Sequence, residues 1–397
     1  MSQSLIIVGA GLAGWTTARE FRKLDTTTPV FLVTADSGDF YAKPSLSNAF
    51  AQGRLPAQLV STPAAKMANT LNVTLLAHTR VEAIDTAART LNVRSAAGLQ
   101  SLAYRDLVLA TGAQAIRVPV QGDAADAVMS INSLDNFAVF HARLLAGAQT
   151  PGRPQRQVLI MGAGLIGCEF ANDLAQAGVR VRVVDPGLRP LAALLPPEAS
   201  AALQKALEAL GVQFDFDCTV RAVDHAAGQL QVTLATGETV PADAVLSAVG
   251  LRADTALAQA AGLLVDRAIV VNTYLLTSAA HIYALGDCAQ YASAPSLLSM
   301  HGSTLPYVMP IMSAARALAA TLAGSPTALV FSLMPVSVKT PALPLVVAAA
   351  QAGLAGSWAG AGEGIWHWLD DAGLPRGFVL AGAQTSQRMA QAKLLAP

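Results

Sequence analysis

Two glycine-spaced turns, Gly9-Ala10-Gly11-Leu12-Ala13-Gly14 and Gly162-Ala163-Gly164-Leu165-Ile166-Gly167, constrain this chain more than any other feature. Each is entered from a continuous apolar run, Leu5 to Val8 and Val158 to Met161, and each opens a helical stretch. The first helix is expected from Leu12 to about Leu24, the second as far as Ala177 with Gly178 as its stop. In a G-x-G-x-x-G turn the first glycine permits the tight strand-to-helix reversal. The second lets backbone approach a pyrophosphate, and the third lets helix pack on strand. The helix then aims its positive end at the phosphates. A single such turn can be no more than a tight turn; two in one chain point to two bound dinucleotides.

The strands that follow deliver the residues expected at each adenosine ribose. Val30 to Val33 leads into Thr34, Ala35 and Asp36, so that either Asp36 reaches back or hydroxyl and backbone groups hold the ribose. Val179 to Val184 ends at Asp185, 23 residues past Gly162, close to the spacing of the acid that binds a ribose 2′-hydroxyl. A 2′-phosphate would be repelled there, which favours NADH over NADPH; Arg180, Arg182 and Arg189 blunt that inference without reversing it. Val73 to Ile84 and Arg89 to Val93 alternate like strands of a small antiparallel insertion. Leu107 to Gly112 and Asp243 to Gly250 read as further buried strands, each closing on a glycine, Gly112 and Gly250, that lets backbone pass a ligand. The loop Phe40 to Ser47 offers Lys43, either a phosphate neutraliser or an ordinary surface lysine.

Composition excludes several classes. With 53% hydrophobic and 13% charged residues, and 26 basic against 26 acidic, the chain is neither disordered nor a nucleic-acid binder. Cys168, Cys218 and Cys288 are scattered and form no C-x-x-C, which suits a reducing compartment and three buried thiols. No export signal precedes the first strand, so the expected location is the cytoplasm. The acid- and base-poor stretches are broken by Pro, Ser and Gly, so no membrane span is expected, and neither is a metal site.

The stretch Thr277-Ser278-Ala279-Ala280-His281-Ile282-Tyr283-Ala284-Leu285-Gly286-Asp287 resembles the second FAD fingerprint of the two-dinucleotide flavoprotein reductases. There the aspartate binds the ribityl chain and the next helix aims at the isoalloxazine. With the two glycine turns, Ala110-Thr111-Gly112 and Ala248-Val249-Gly250, the resemblance covers about residues 4 to 325. Disulfide reductases of this superfamily need a redox cysteine pair by the flavin, and the persulfide, peroxide and coenzyme A disulfide branch a single cysteine near position 43, where this chain has Lys43, Ser45 and Ser47. More narrowly, the chain is similar to rubredoxin–NAD(+) reductases through Tyr41 to Ser47, Leu165 to Leu174, Leu305 to Pro310 and Met334 to Pro341. That resemblance implies an FAD flavoprotein taking hydride from NADH and passing electrons singly to rubredoxin, for alkane hydroxylation or oxygen and peroxide removal.

It further implies FAD contacts from Gly9, Ala10, Gly11, Leu12, Ala13, Gly14, Thr34, Ala35, Lys43, Val81, Ala110, Gly112, Asp287, Val308 and Lys339. NADH would meet Gly162, Gly164, Gly167, Asp185 and Gly250, and Glu169 would sit where nicotinamide meets flavin; Glu169 and Lys339 are the expected catalytic residues. Departures from the family pattern are the missing acid at Thr34, Ala253-Asp254 where relatives often carry Pro-Asn, and extra residues around Ala292 to Ser303. The expected fold is α/β: two Rossmann-like dinucleotide-binding domains, the FAD domain (1–114 and 247–327) interrupted by an NAD domain (115–246), plus a smaller α+β C-terminal domain (328–397). A ferredoxin reductase of an oxygenase system and a non-enzymatic flavin redox sensor are the alternatives.

Charge is unevenly spread. Residues 40–81, 288–362 and 372–397 together carry nine basic residues and no acid, so the remainder is acidic. Those segments are expected around the flavin, where a basic surface would steer an acidic iron protein such as rubredoxin.

Asp185 predicts a kcat/KM for NADH at least tenfold above that for NADPH, about 1.4 kcal/mol of discrimination. Equal values for the two coenzymes would remove the role given to Asp185.

Overall fold

A computed structural model of the chain describes residues 4–147, 156–292, 304–331, 333–350 and 353–395. The expected loop Thr150 to Pro154, and residues 293–303 of the extra segment, lie outside the described residues. Contacts group the chain into two compact units, one of residues 1–42, 60–114 and 252–334, the other of residues 43–59, 115–251 and 335–397.

The first unit is built on a five-stranded parallel sheet in the order Ile282–Ala284, Asp106–Leu109, Leu5–Val8, Val30–Val33, Thr74–Leu76. Leu5 pairs with both Val30 and Asp106, so the strand that enters the first glycine turn is central. A parallel strand covered on both faces is apolar throughout rather than alternating, as Leu5 to Val8 are. The helix Leu12–Arg22 packs along the helix Val308–Leu322. Its Trp15 is fully buried and donates from Nε1 to Gly38 O at 2.8 Å.

The stretch Val73 to Ile84 is not one insertion. His78 takes a left-handed φ of 49° and splits it. Thr74–Leu76 joins the parallel sheet, and Arg80–Asp85 starts an antiparallel sheet with Thr90–Ser95 and Gly98–Ala103.

The second unit repeats the plan. Its parallel sheet runs Val128–Met129, Ala244–Ser247, Gln157–Met161, Arg180–Val184, Gln213–Asp215, with a three-stranded antiparallel sheet at 220–242. The helix Leu165–Gln176 ends at Ala177, followed by Gly178 at φ 78°.

The same unit holds an antiparallel sheet of Val336–Val338, Leu345–Ala348, Pro375–Ala381, Ile365–Asp370 and Gly356–Gly362, closed by the helix Arg388–Leu394. The apolar run from Val330 yields a strand only from Val336, immediately after Pro335, and the run from Leu343 only from Leu345, after Pro344. Proline cannot donate to a ladder, so both strands start behind one. The fold is α/β, with two parallel-sheet units of dinucleotide-binding type.

Replacing Trp15 by Phe leaves the Gly38 carbonyl without its buried donor. The expected loss is about 1–3 kcal/mol, read as a lower urea midpoint at unchanged m. An unchanged midpoint would show that the indole N–H is dispensable.

Candidate functional site

In the first unit the glycine turn is shaped by what a side chain would strike. A Cβ on Gly9, at φ 108°, would lie 2.2 Å from Ala110 O, and one on Gly14 would lie 1.9 Å from Gly9 O. Gly11 differs: a Cβ there would meet nothing within 4 Å. The turn is therefore closed against the strand and open outward, and the first helical turn has neither a side-chain cap nor an acid. Backbone N–H groups left by a helix start, beside an open glycine, fit a pyrophosphate.

Around that turn the sheet gathers other expected residues. Ala110 N donates to Val8 O at 2.8 Å, and Gly112 O accepts from Asp254 N at 3.0 Å. Thr34 Oγ1 donates to Asp36 Oδ1 at 2.6 Å and Gly38 N to the same oxygen at 3.0 Å, which brings a hydroxyl and a carboxylate together at the strand end. Backbone donation from Thr79 to Thr34 and from His78 to Asp36 runs the chain past Thr34 and Ala35 two residues before Val81. Gly286, at φ 81°, packs on Ala13, with 3.0 Å between a built Cβ and the alanine's own, which sets half-buried Asp287 by the start of the first helix. The helix that begins at Val308 contacts the short turn Gly286–Cys288 and also lacks a capping side chain.

The second unit reproduces the turn. A Cβ on Gly162, at φ 106°, would lie 2.7 Å from Ala248 O, one on Gly167 1.9 Å from Gly162 O, and one on Gly164 in open space. Gly250 keeps φ 118°, and Ser247 Oγ, at the carboxyl end of its strand, is buried with no partner among the described residues. Asp185 accepts from Ala163 N through Oδ2 and from Gly187 N through Oδ1, both at 2.6 Å. A carboxylate has about four lone-pair sites, so two backbone donors leave capacity for a ribose hydroxyl. Arg182 is spent on Asp215 and Glu238, which raise its pKa, and Arg189 on Leu195 O, Ala192 O and Ser200. Neither guanidinium is directed to a 2′-phosphate.

Along the helix opened by this turn, three buried polar residues face one way. Glu169, 3% exposed, accepts Ser47 Oγ at 2.7 Å and Lys339 Nζ at 3.3 Å through Oε2, and Lys339 N at 3.0 Å through Oε1. Lys339 Nζ also donates to Pro44 O at 2.9 Å. In the sequence Lys339 stands in a run almost free of charge; its counter-ion comes from 170 residues away. Asp173 accepts Phe50 N and Ala51 N, each at 2.9 Å, and Asn172 Oδ1 accepts Ala342 N at 3.0 Å. Burial pushes the Asp173 carboxyl up, against the lowering effect of the Ala51, Phe50 and Ala49 N–H groups. Lys43 Nζ donates to Asn132 Oδ1 at 3.1 Å. Pro44, Ser45 and Lys339 line a cavity of about 280 Å³ with Asn48, Gln52 and Arg54, two cations and no acid.

The expected residues thus fall into two sets. Gly9 to Gly14, Thr34, Ala35, Val81, Ala110, Gly112, Asp287 and Val308 lie in the first unit; Lys43, Gly162, Gly164, Gly167, Glu169, Asp185, Gly250 and Lys339 lie in the second. Sequence reasoning missed Ser47, the Pro44 carbonyl, Asn172 and Asp173 as parts of the site. The available signal was polar residues three and four positions after Glu169 on an otherwise apolar helix. The three thiols are free and buried, and burial pushes Cys168 up to about 12.

Comparison with known proteins gives the chain a family. Residues 3–318 match the family described as pyridine nucleotide-disulphide oxidoreductase, and residues 328–395 match the rubredoxin binding C-terminal domain. A rubredoxin–NAD(+) reductase of Alcanivorax borkumensis is 44% identical over 91% of this chain and 89% of its own length. A nitric oxide reductase FlRd–NAD(+) reductase of Aeromonas salmonicida is 40% identical over 88% of this chain and 84% of its own. Among solved structures, a chain of the covalent putidaredoxin reductase–putidaredoxin complex shares the fold, with a TM-score of 0.86 at 24% identity over 99% of this chain and 93% of that one.

The contrast between the glycines is testable. Gly11→Ala, whose backbone is already at φ −75°, is expected to leave the unfolding midpoint of the cofactor-stripped protein unchanged and to weaken FAD binding at least tenfold. Gly14→Ala is expected to lower that midpoint itself. Equal behaviour of the two variants would refute the division into an open and a closed glycine.

Proposed function

We propose a function that proceeds from family: the chain belongs to the pyridine nucleotide-disulphide oxidoreductase family and, within it, with the rubredoxin–NAD(+) reductases. It is an NADH-dependent oxidoreductase with FAD as its cofactor, and its electron acceptor is rubredoxin. The match of residues 328–395 to a rubredoxin binding domain carries the choice of acceptor. The buried free thiols support direct delivery, since none is a disulfide partner and burial pushes Cys168 and Cys288 up, away from the thiolate. Bound FAD supplies the conversion between a two-electron hydride donor and a one-electron acceptor.

The chain's own residues supply binding and orientation. In this reading residues 1–114 and 247–327 bind FAD, the backbone at Gly9 to Gly14 and Gly112 taking the pyrophosphate and Asp287 the ribityl chain. Residues 115–246 bind NADH through Gly162, Gly164, Gly167 and Gly250, with Asp185 on the ribose. Glu169 orients the nicotinamide, and the Lys339 ammonium stands at the flavin ring, where a cation stabilises the anionic reduced form. Residues 328–397 contribute to acceptor docking beside the flavin edge.

Basic residues at Arg54, Lys66 and Arg388 support steering of an acidic partner; Arg376 does not, because Asp370 neutralises it at 2.8 Å. We assign the reduced rubredoxin to alkane hydroxylation or oxygen and peroxide reduction, in the cytoplasm. Among the described residues no helix is long and apolar enough to cross a membrane.

Reconstituted turnover tests the acceptor. NADH oxidation is expected to be faster with rubredoxin than with a ferredoxin, to slow as ionic strength rises at sub-saturating rubredoxin, and to slow on charge reversal at Arg54, Lys66 or Arg388 but not Arg376. Preference for ferredoxin would replace the acceptor. Salt-independent association with silent reversals would remove the steering.

A further inference from the structure

Glu169, Asn172 and Asp173 stand at positions i, i+3 and i+4 of the helix Leu165–Gln176, which places them on one face. All three are at most 3% exposed; Glu169 bonds both Ser47 and Lys339, whereas Asp173 and Asn172 each hold one of the two segments that carry them. Asp173 takes the N–H groups of Phe50 and Ala51. These residues directly follow the short 3₁₀ turn Lys43–Asn48, which holds the Pro44 carbonyl and the Ser47 hydroxyl. Asn172 takes the N–H of Ala342, three residues past Lys339, in a turn that Thr340 closes by donating to Leu343 O at 2.7 Å.

The Lys339 ammonium is reached from both directions: Pro44 O comes from the segment that Asp173 holds, and Lys339's own backbone comes from the turn that Asn172 holds. A lysine on a four-carbon stem is mobile unless its partners are fixed. Beside its direct contact with Glu169 Oε2, the ammonium is thus set from Phe50 and Ala51, six and seven residues after Pro44, and from Ala342, three residues after Lys339, by groups that do not touch it.

We propose that Asn172 and Asp173 form a two-sided clamp that positions the Lys339 ammonium, and are therefore positioning residues for the redox step. A carboxylate is required on the Pro44 side because two parallel N–H donors need two acceptor oxygens; an amide offers one and sets its own NH₂ against the second donor. The inference rests on the reading of Lys339 given above. It adds that the coenzyme-binding helix sets the Lys339 ammonium through backbone, from Asn172 and Asp173, as well as through the direct contact of Glu169.

The test is a double-variant cycle read by the flavin midpoint potential of the FAD-loaded protein. Lys339→Met is expected to lower that potential. Asp173→Asn and Asn172→Ala are each expected to lower it by less, with full FAD content, and to slow anaerobic flavin reduction by NADH about tenfold. Adding Lys339→Met to either is expected to give no shift beyond Lys339→Met alone, because both act through the same ammonium. Additive shifts would overturn the clamp, and so would variants that melt earlier with an unchanged potential. If Lys339→Met itself leaves the potential unchanged, the reading of Lys339 fails and the clamp falls with it. If Lys339→Met shifts the potential and neither clamp variant does, only the clamp is lost. Should Asp173→Asn not yield folded protein, Asn172→Ala, which removes one hydrogen bond to the turn and one to Gln176 Oε1 on its own helix, carries the cycle.

Discussion

A carboxylate at position 169 with almost no solvent contact has to be paid for by donors, and the second unit is assembled around that requirement. Glu169 obtains a hydroxyl, a backbone N–H and an ammonium from two segments remote in sequence. Removing one partner from a buried ion pair typically costs about 3–5 kcal/mol; a figure below that fits here, since the Lys339 side chain keeps 35% of its exposure. The arrangement contributes more to specificity than to stability. Residues 43–51 and 339–342 are brought to one helix face because the buried acceptors of Glu169, Asn172 and Asp173 tolerate no other occupancy.

The two glycine turns solve a different problem with the same geometry. In each, the first and third glycines are excluded from bearing a side chain by a carbonyl oxygen, and the middle one faces open space. Both turns leave the start of a helix uncapped by any side chain. A phosphate can thus be bound by backbone alone, which explains why the surrounding sequence is free to be apolar. The difference lies at the end of the second strand: one unit has the Thr34 hydroxyl on Asp36, the other has Asp185 directly on the turn.

What the sequence disclosed follows from how each element is buried. Leu5–Val8 and Val30–Val33 are legible because inner parallel strands are continuously apolar; in Arg180–Val184 the valines are buried and Arg180 is exposed, so position after the glycine turn and its helix marks it. Gly98–Ala103 escaped because only one of its six residues is even partly buried, so no alternation marks it. Gly356–Gly362 escaped because three of its seven residues are glycine, although it pairs along Ile365–Asp370 through Trp358 and Trp368. At the site, the glycines and Asp185 carry fixed spacings and could be read directly. Ser47, Asn172 and Asp173 act by accepting or donating across more than 100 residues of chain, and sequence holds no spacing for that.

The cysteines show how chemistry has been divided in this scaffold. Cys168 lies on the same helix as Glu169, yet its thiol donates to Ala163 O at 3.3 Å, and burial with Asp185 and Glu169 nearby holds it up at about 12. Cys288, next to Asp287, is likewise buried and raised, with its thiol on Leu109 O and Leu285 O. A thiol so placed is neither a nucleophile nor a redox partner at neutral pH; it fills space as a small apolar side chain. Electron handling is therefore left to the bound cofactor, and the polypeptide's task reduces to electrostatics and position. That is the condition under which a clamp of neutral and anionic hydrogen-bond acceptors, rather than a reactive side chain, becomes the part of the protein that tunes the reaction.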